Sequence, residues 1–255
     1  MTKSKATKTE ASTEAVDVAL ATIPNSPYIS TDVVVSSMEV ADEMGLGTFD
    51  IPQIKVPSAE AGVWATLGVD GQKVHTDTFE GIILAMNPRE RGWWAVDYDS
   101  RSAEDSVKPA CQSMDGKTGF GIREPLPSDD VVATEASCKT CKWAEFGSDR
   151  KTGRGQDCSQ TGMALVLLPG QAIPHLVRIP ASSAKAIVTY TVDLLSSGKK
   201  MTQVVTRFGL TDEKNAAGQR YCGVTLEVAR ATTPDETALV VAAMPQARDL
   251  LLRRE

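Results

Sequence analysis

No apolar run in the sequence approaches the roughly 20 residues that a membrane-spanning helix requires, so no membrane partner is expected. The first residues, Met1 to Thr13, are polar and lack the apolar segment of a secretory leader, which argues for a cytoplasmic protein. Aromatic residues are scarce, at 5% of 255. Most rings are therefore needed for packing, and few remain for a ligand. There are only two histidines, His75 and His175. Neither has a Glu two places on, and the residue two places after Cys111 is Ser113, so the pattern of a zinc deaminase is missing. A nucleophile elbow and a phosphate-cradling Gly-rich loop are missing too. The paired acids Asp129 and Asp130 read as solvated loop charge. An enzyme is not expected.

What is present describes an ordinary globular chain with an uneven charge. Hydrophobic residues make up 42% and charged residues 24%. The net charge is −6. From Cys138 to Arg207, however, ten basic residues face four acids, whereas Glu39, Asp42, Glu43 and Asp50 make the N-terminal third acidic. Such a local basic field attracts phosphates even when the total is negative. A solvated charged face is the plain alternative.

Along the chain, residues 1–25 are rich in Lys, Thr, Ala, Ser and Glu and read as a disordered tail. Residues 27–50 read as a strand or a short helix. Strand signals follow at Val63–Leu67, at Phe79–Leu84 with a stop at Asn87-Pro88, and at Trp93–Val96. Residues 99–160 have almost no apolar run but hold four of the five cysteines. A stretch this long needs something other than a core to order it. Further strands are expected at 163–168, between Pro174 and Pro180, at 203–210 and at 221–229. A helix is expected at about 182–196 and another at about 234–253.

The cysteines are spaced Cys111-x26-Cys138-x2-Cys141-x16-Cys158. A Cys-x-x-Cys pair on a tight turn, with two further cysteines from flanking loops, suits a closed tetrahedral thiolate shell. The spacing leads us to expect one structural Zn²⁺ on Cys111, Cys138, Cys141 and Cys158, with iron or redox use as alternatives. Disulfides do not suit a cytoplasmic chain, and a thioredoxin-like pair would need a βαβ setting. Cys222 lies in a strand run and reads as a small buried hydrophobe.

Several local patterns resemble a family of zinc-containing, single-stranded DNA-binding replication proteins of tailed phages. They are Ile54-Lys55-Val56-Pro57, Glu80-Gly81-Ile82-Ile83-Leu84, Arg91-Gly92-Trp93-Trp94, and Pro109-Ala110-Cys111-Gln112-Ser113-Met114-Asp115-Gly116-Lys117-Thr118-Gly119. Cys138-x-x-Cys141 with Phe146-Gly147-Ser148, Gly153-Arg154-Gly155-Gln156-Asp157-Cys158, Ile173-Pro174 and Ile179-Pro180-Ala181-Ser182-Ser183 complete the set. The resemblance implies an OB fold carrying an inserted zinc subdomain. The chain departs from the family in offering four cysteines without a histidine ligand, and in lacking a strongly acidic C-terminal tail.

The expected architecture is mainly β. It comprises a tail (1–25), an OB-like antiparallel barrel (26–230) with a four-cysteine zinc insertion at about 99–160, peripheral helices, and a C-terminal helix (231–255). The expected function is non-catalytic single-stranded DNA binding in phage replication or recombination, within a bacterial cytoplasm and alongside replication or recombination proteins. A zinc-stabilised interaction module of a replication or transcription complex is the alternative. Phosphate contacts are expected from Lys139, Lys142, Arg150, Lys151, Arg154 and Arg207, and base stacking from Trp143 and Phe146.

Overall fold

Most of the short apolar runs become strands, although of Trp93–Val96 only Trp93 lies in one, and three stretches become helices. A computed structural model describes residues 22–48, 50–68, 70–96, 109–121, 134–151, 153–214 and 218–252. Of the tail expected over residues 1–25, residues 1–21 lie outside the described residues, as do parts of the cysteine excursion (97–108 and 122–133), whereas Thr22 bridges to Ile29 and Ile23 is buried. The elements begin with α1 (Thr31–Glu43), β1 (Gln53–Lys55), β2 (Trp64–Leu67), β3 (Lys73–Thr76) and β4 (Phe79–Trp93). Next come β5 (Cys111–Ser113), β6 (Thr118–Gly121) and β7 (Thr134–Ser137), then β8 (Ser159–Leu167) and β9 (His175–Ile179). The chain closes with α2 (Ala184–Ser196), β10 (Val204–Lys214), β11 (Arg220–Ala231) and α3 (Pro234–Leu252).

Nine of these strands form one mixed sheet in the order β1-β9-β8-β4-β5-β6-β7, with β10 also pairing β4 and β11 pairing β10. β2 and β3 form a separate hairpin. Strand β4 organises the sheet. Its start pairs with β10 (Phe208 with Phe79), its length pairs with β8, and its end pairs with β5 (Trp93 with Cys111). The protein is thus mainly β, but the described strands do not close into the expected OB-like barrel. The sheet is not purely antiparallel either, because β1 runs parallel to β9.

Period-2 alternation along β4 and β8 feeds two cores. Ile82, Leu84, Met163, Leu165 and Leu167 face α1 and α3, packing with Val34, Met38, Leu239 and Ala243. Ile83, Ala164 and Val166 face the other way, onto Ile187, Tyr190 and Leu194 of α2. Trp64 and the stacked pair Phe79 and Phe208 complete that second core. Burial on both faces explains why these strands read as continuous apolar runs.

The helices expected near 182–196 and 234–253 form, and the ambiguous stretch at 27–50 resolves as α1. α3 begins on a reciprocal capping box: the Glu236 backbone N–H donates to Thr233 Oγ1, and the Thr233 N–H donates to the Glu236 carboxylate. Among the described residues, no helix is long and apolar enough to cross a membrane.

Candidate nucleic-acid interface and the cysteine lobe

Strands β5 to β7 and the loop to β8 make a lobe at the far end of β4, between β4 and β8 as the sequence suggested. Two short 310 turns, Cys138–Thr140 and Lys142–Ala144, carry the Cys-x-x-Cys knuckle. The Ser137 hydroxyl caps the first by accepting from the Lys139 N–H. The Cys138 N–H donates to the Lys117 carbonyl at 2.7 Å, tying the knuckle to the β5–β6 turn.

Cys111, Cys138, Cys141 and Cys158 all line one small pocket of about 10 Å³. A Cβ on Gly119 would lie 3.2 Å from the Cys111 sulfur and 3.4 Å from that of Cys138, a tight fit that a larger residue would meet only if the sulfurs shift by a few tenths of an ångström. Nonetheless, among the described residues no group of three or more His, Cys, Asp or Glu side chains could hold a metal ion. This overturns the expected Zn²⁺ on Cys111, Cys138, Cys141 and Cys158, and iron on the same residues with it. Lining a shared pocket is a weaker condition than aiming thiolates at one centre, which is what a ligand shell requires. None of the four is in a disulfide. Burial, with Cys141 next to it, pushes the Cys158 thiol up to about 12.

Packing and hydrogen bonds order the loop. Trp93 at the end of β4 is 1% exposed and stacks on Trp143, with ring centroids 5.2 Å apart. Arg150 clamps the pair. It donates to the carbonyls of Ala95 and Trp94 at 2.7 Å each and pairs with Asp157 at 2.8 Å. Its guanidinium carbon lies 5.6 Å from both indole rings. Asp157 also accepts from the Trp93 indole N–H at 2.7 Å. The Cys158 N–H and the Ser148 hydroxyl both donate to the Trp143 carbonyl.

The expected DNA contacts separate on this geometry. Lys139, Lys142, Trp143, Phe146, Arg150, Lys151 and Arg154 share the lobe, whereas Arg207 lies on β10 and pairs with Glu80 at 2.7 Å. Arg150 is committed to the clamp, and one face of Trp143 is covered by Trp93. Lys142 sits 4.9 Å from the Trp143 ring. Phe146 is 84% exposed. A ring that exposed is open to stacking by a flat partner. Of the other rings, Tyr190 and Phe208 belong to the core. His175 is buried, which lowers its pKa, and His75 is exposed. Cys222 is buried as expected, its thiol donating to the Ser58 carbonyl at 3.5 Å.

The sequence reading missed Phe120, which is 41% exposed on β6, and Lys117 on the adjoining turn. Both stand among glycines and acids, where no local pattern marks them. Comparison with protein-family models, with curated proteins and with solved structures returns no match.

Proposed function

We propose that the protein binds single-stranded DNA without catalysis, through the outer face of the cysteine lobe. The observation that carries the reading is Phe146, exposed in the segment between β7 and β8 that also bears Lys139, Lys142, Lys151 and Arg154. Stacking accepts any base, and flexible cations follow the phosphates, so the chemistry favours unpaired strands with little sequence preference. The Trp93–Trp143–Arg150 clamp supports the reading by giving the platform a rigid base. An OB-like relationship would need strand pairing that closes the sheet, so the reading rests on the site rather than on the fold. A role in phage replication or recombination belongs to the same proposal and rests on the sequence resemblance alone.

The test is titration of a labelled oligo-dT at two salt concentrations. Binding that weakens steeply with salt is expected. No binding at low salt removes the reading.

A second reading, a protein-interaction module, has its own observation. A groove of about 590 Å³ runs between α2 and α3 over β4. Leu195, Val241 and Leu252 are exposed along it, beside Lys199, Lys200 and Arg248. Apolar patches of this kind mark docking surfaces.

A further inference from the structure

The α2–α3 groove sets three cations beside exposed apolar side chains. Leu195, Val241 and Leu252 on its walls are each more than half exposed. Val188 and Val192, also exposed, stand four and seven residues before Leu195 and continue the apolar stripe along α2. Lys199, Lys200 and Arg248 form no ion pair among the described residues, and no carboxylate there lines the groove. Asp193 and Glu227 share a neighbouring cleft with Lys199 but make no salt bridge with it. A partner that covers this surface must bring apolar side chains and acids together.

The outer face of α1 carries that combination. Its inner face is fixed in its own chain, where Val34 and Met38 pack in the core with Leu239 and Ala243 of α3. On the outer side Glu39 and Glu43 stand one turn apart, and so do Val40 and Met44, which makes an acidic row beside an apolar one. Val40 and Met44 are each more than half exposed. Neither glutamate has an ion pair among the described residues. Because α1 is held against α3 of its own chain, the groove it could fill is that of another copy.

We infer that α1 of one copy docks in the α2–α3 groove of a second copy of this chain. Val40 and Met44 meet Leu195, Val241 and Leu252, and Glu39 and Glu43 meet Lys199, Lys200 and Arg248, a helix laid in a groove. The docking and receiving surfaces differ, so the contact is heterologous and copies add head to tail. The inference rests on the reading of the groove as a docking surface and names its occupant.

The experiment follows weight-average mass against protein concentration by sedimentation equilibrium. The wild type should rise above the 27.2 kDa of one chain. Glu39→Lys/Glu43→Lys and Lys199→Glu/Lys200→Glu should each stay at one chain, because each sets like charges face to face. All four positions are exposed, which spares the fold. The variant with all four changes only exchanges the charges and should associate again. Val40→Ser leaves every charge in place and should lower the mass too. If the wild type associates and both double variants match it, the contact lies elsewhere and the inference is refuted. A fourfold variant that stays at one chain, with circular dichroism like the wild type, also refutes it. The last arm adds a labelled model helix with one Leu face and one Glu face. A wild type that stays at one chain but binds this helix refutes self-docking and leaves the groove as a docking site. A wild type that does neither refutes both.

Discussion

Replacing Glu236 by Gln should cost the protein about 3 kcal/mol at neutral pH, and that cost should vanish in acid. Glu236 is fully buried at the start of α3. Its carboxylate accepts from Arg230 at 2.7 and 2.8 Å, from the Ser26 hydroxyl at 2.5 Å and from the Thr233 N–H at 2.9 Å. One side chain therefore joins β11, α3 and the segment before α1. Burial alone would raise its pKa, but the hydrogen bonds from Arg230, Ser26 and Thr233 outweigh that and bring it from 4.5 to about 2. At about 1.4 kcal/mol per unit, such a shift corresponds to about 3 kcal/mol. Removing one partner of a buried pair costs about 3–5 kcal/mol. The lower end applies here because the Arg230 side chain is 39% exposed and can turn to water. A carboxylate with a lowered folded pKa stabilises fully above its unfolded value and loses that contribution as pH falls through the folded one. The window thus runs from about 4.5 down to about 2. Urea unfolding of wild type and Glu236→Gln between pH 7 and acid would show the gap closing in that window. A gap under about 0.5 kcal/mol at pH 7, within ordinary surface-mutation scatter, or one constant with pH, would refute the reasoning.

Three further outcomes follow from the packing. Arg150→Lys keeps the charge but loses the fork that holds two carbonyls and Asp157. Hydrogen exchange in residues 143–158 should accelerate, by about 2 kcal/mol of local stability, with the β4–β8 amides unchanged. Tyr190→Phe leaves buried Thr206 without its 2.7 Å partner and should cost about 1–2 kcal/mol in denaturant unfolding; an unchanged midpoint contradicts this. Gly121 has φ +131°, and a Cβ there would collide with the Ala110 carbonyl. Gly121→Ala should therefore strain the β5–β6 hairpin by about 1–3 kcal/mol, visible as faster proteolysis of the lobe; a cleavage rate equal to wild type would contradict this.

Much of the element order was legible because it rests on local periodicity. α2 follows from the recurrence of Ile187, Tyr190 and Leu194, and β8 and β9 from apolar runs bracketed by Pro and Gly. Asn87-Pro88 misled because it reads as a stop. Strand β4 passes through it at a register irregularity, where a missing proline N–H is tolerated. The Asn87 amide also donates to the Met114 carbonyl at 2.6 Å, and its oxygen accepts from the Arg89 N–H. Strands β5, β6 and β7 carry no apolar run and owe their form to pairing outward from the end of β4, a non-local cause. The parallel pairing of β1 with β9 is equally non-local. In the candidate site, cysteine spacing located the lobe correctly but did not decide how the sulfurs are aimed, and the zinc expectation failed there. Charge and aromatic content picked out Phe146, but they could not separate Arg150, bound into the clamp, from Lys139 and Lys142 on the outer face.

The most direct test of the central claim compares wild type with Phe146→Ala, each titrated against long oligo-dT and against duplex of equal length at about 50 and 200 mM salt. Phe146 is 84% exposed, so its loss should leave the unfolding midpoint unchanged. The wild type should prefer the single strand and weaken steeply with salt. Phe146→Ala should lose about 1–3 kcal/mol of single-strand affinity while keeping the same salt slope. A wild type that binds neither strand at low salt, or binds duplex as tightly as oligo-dT, would contradict the claim.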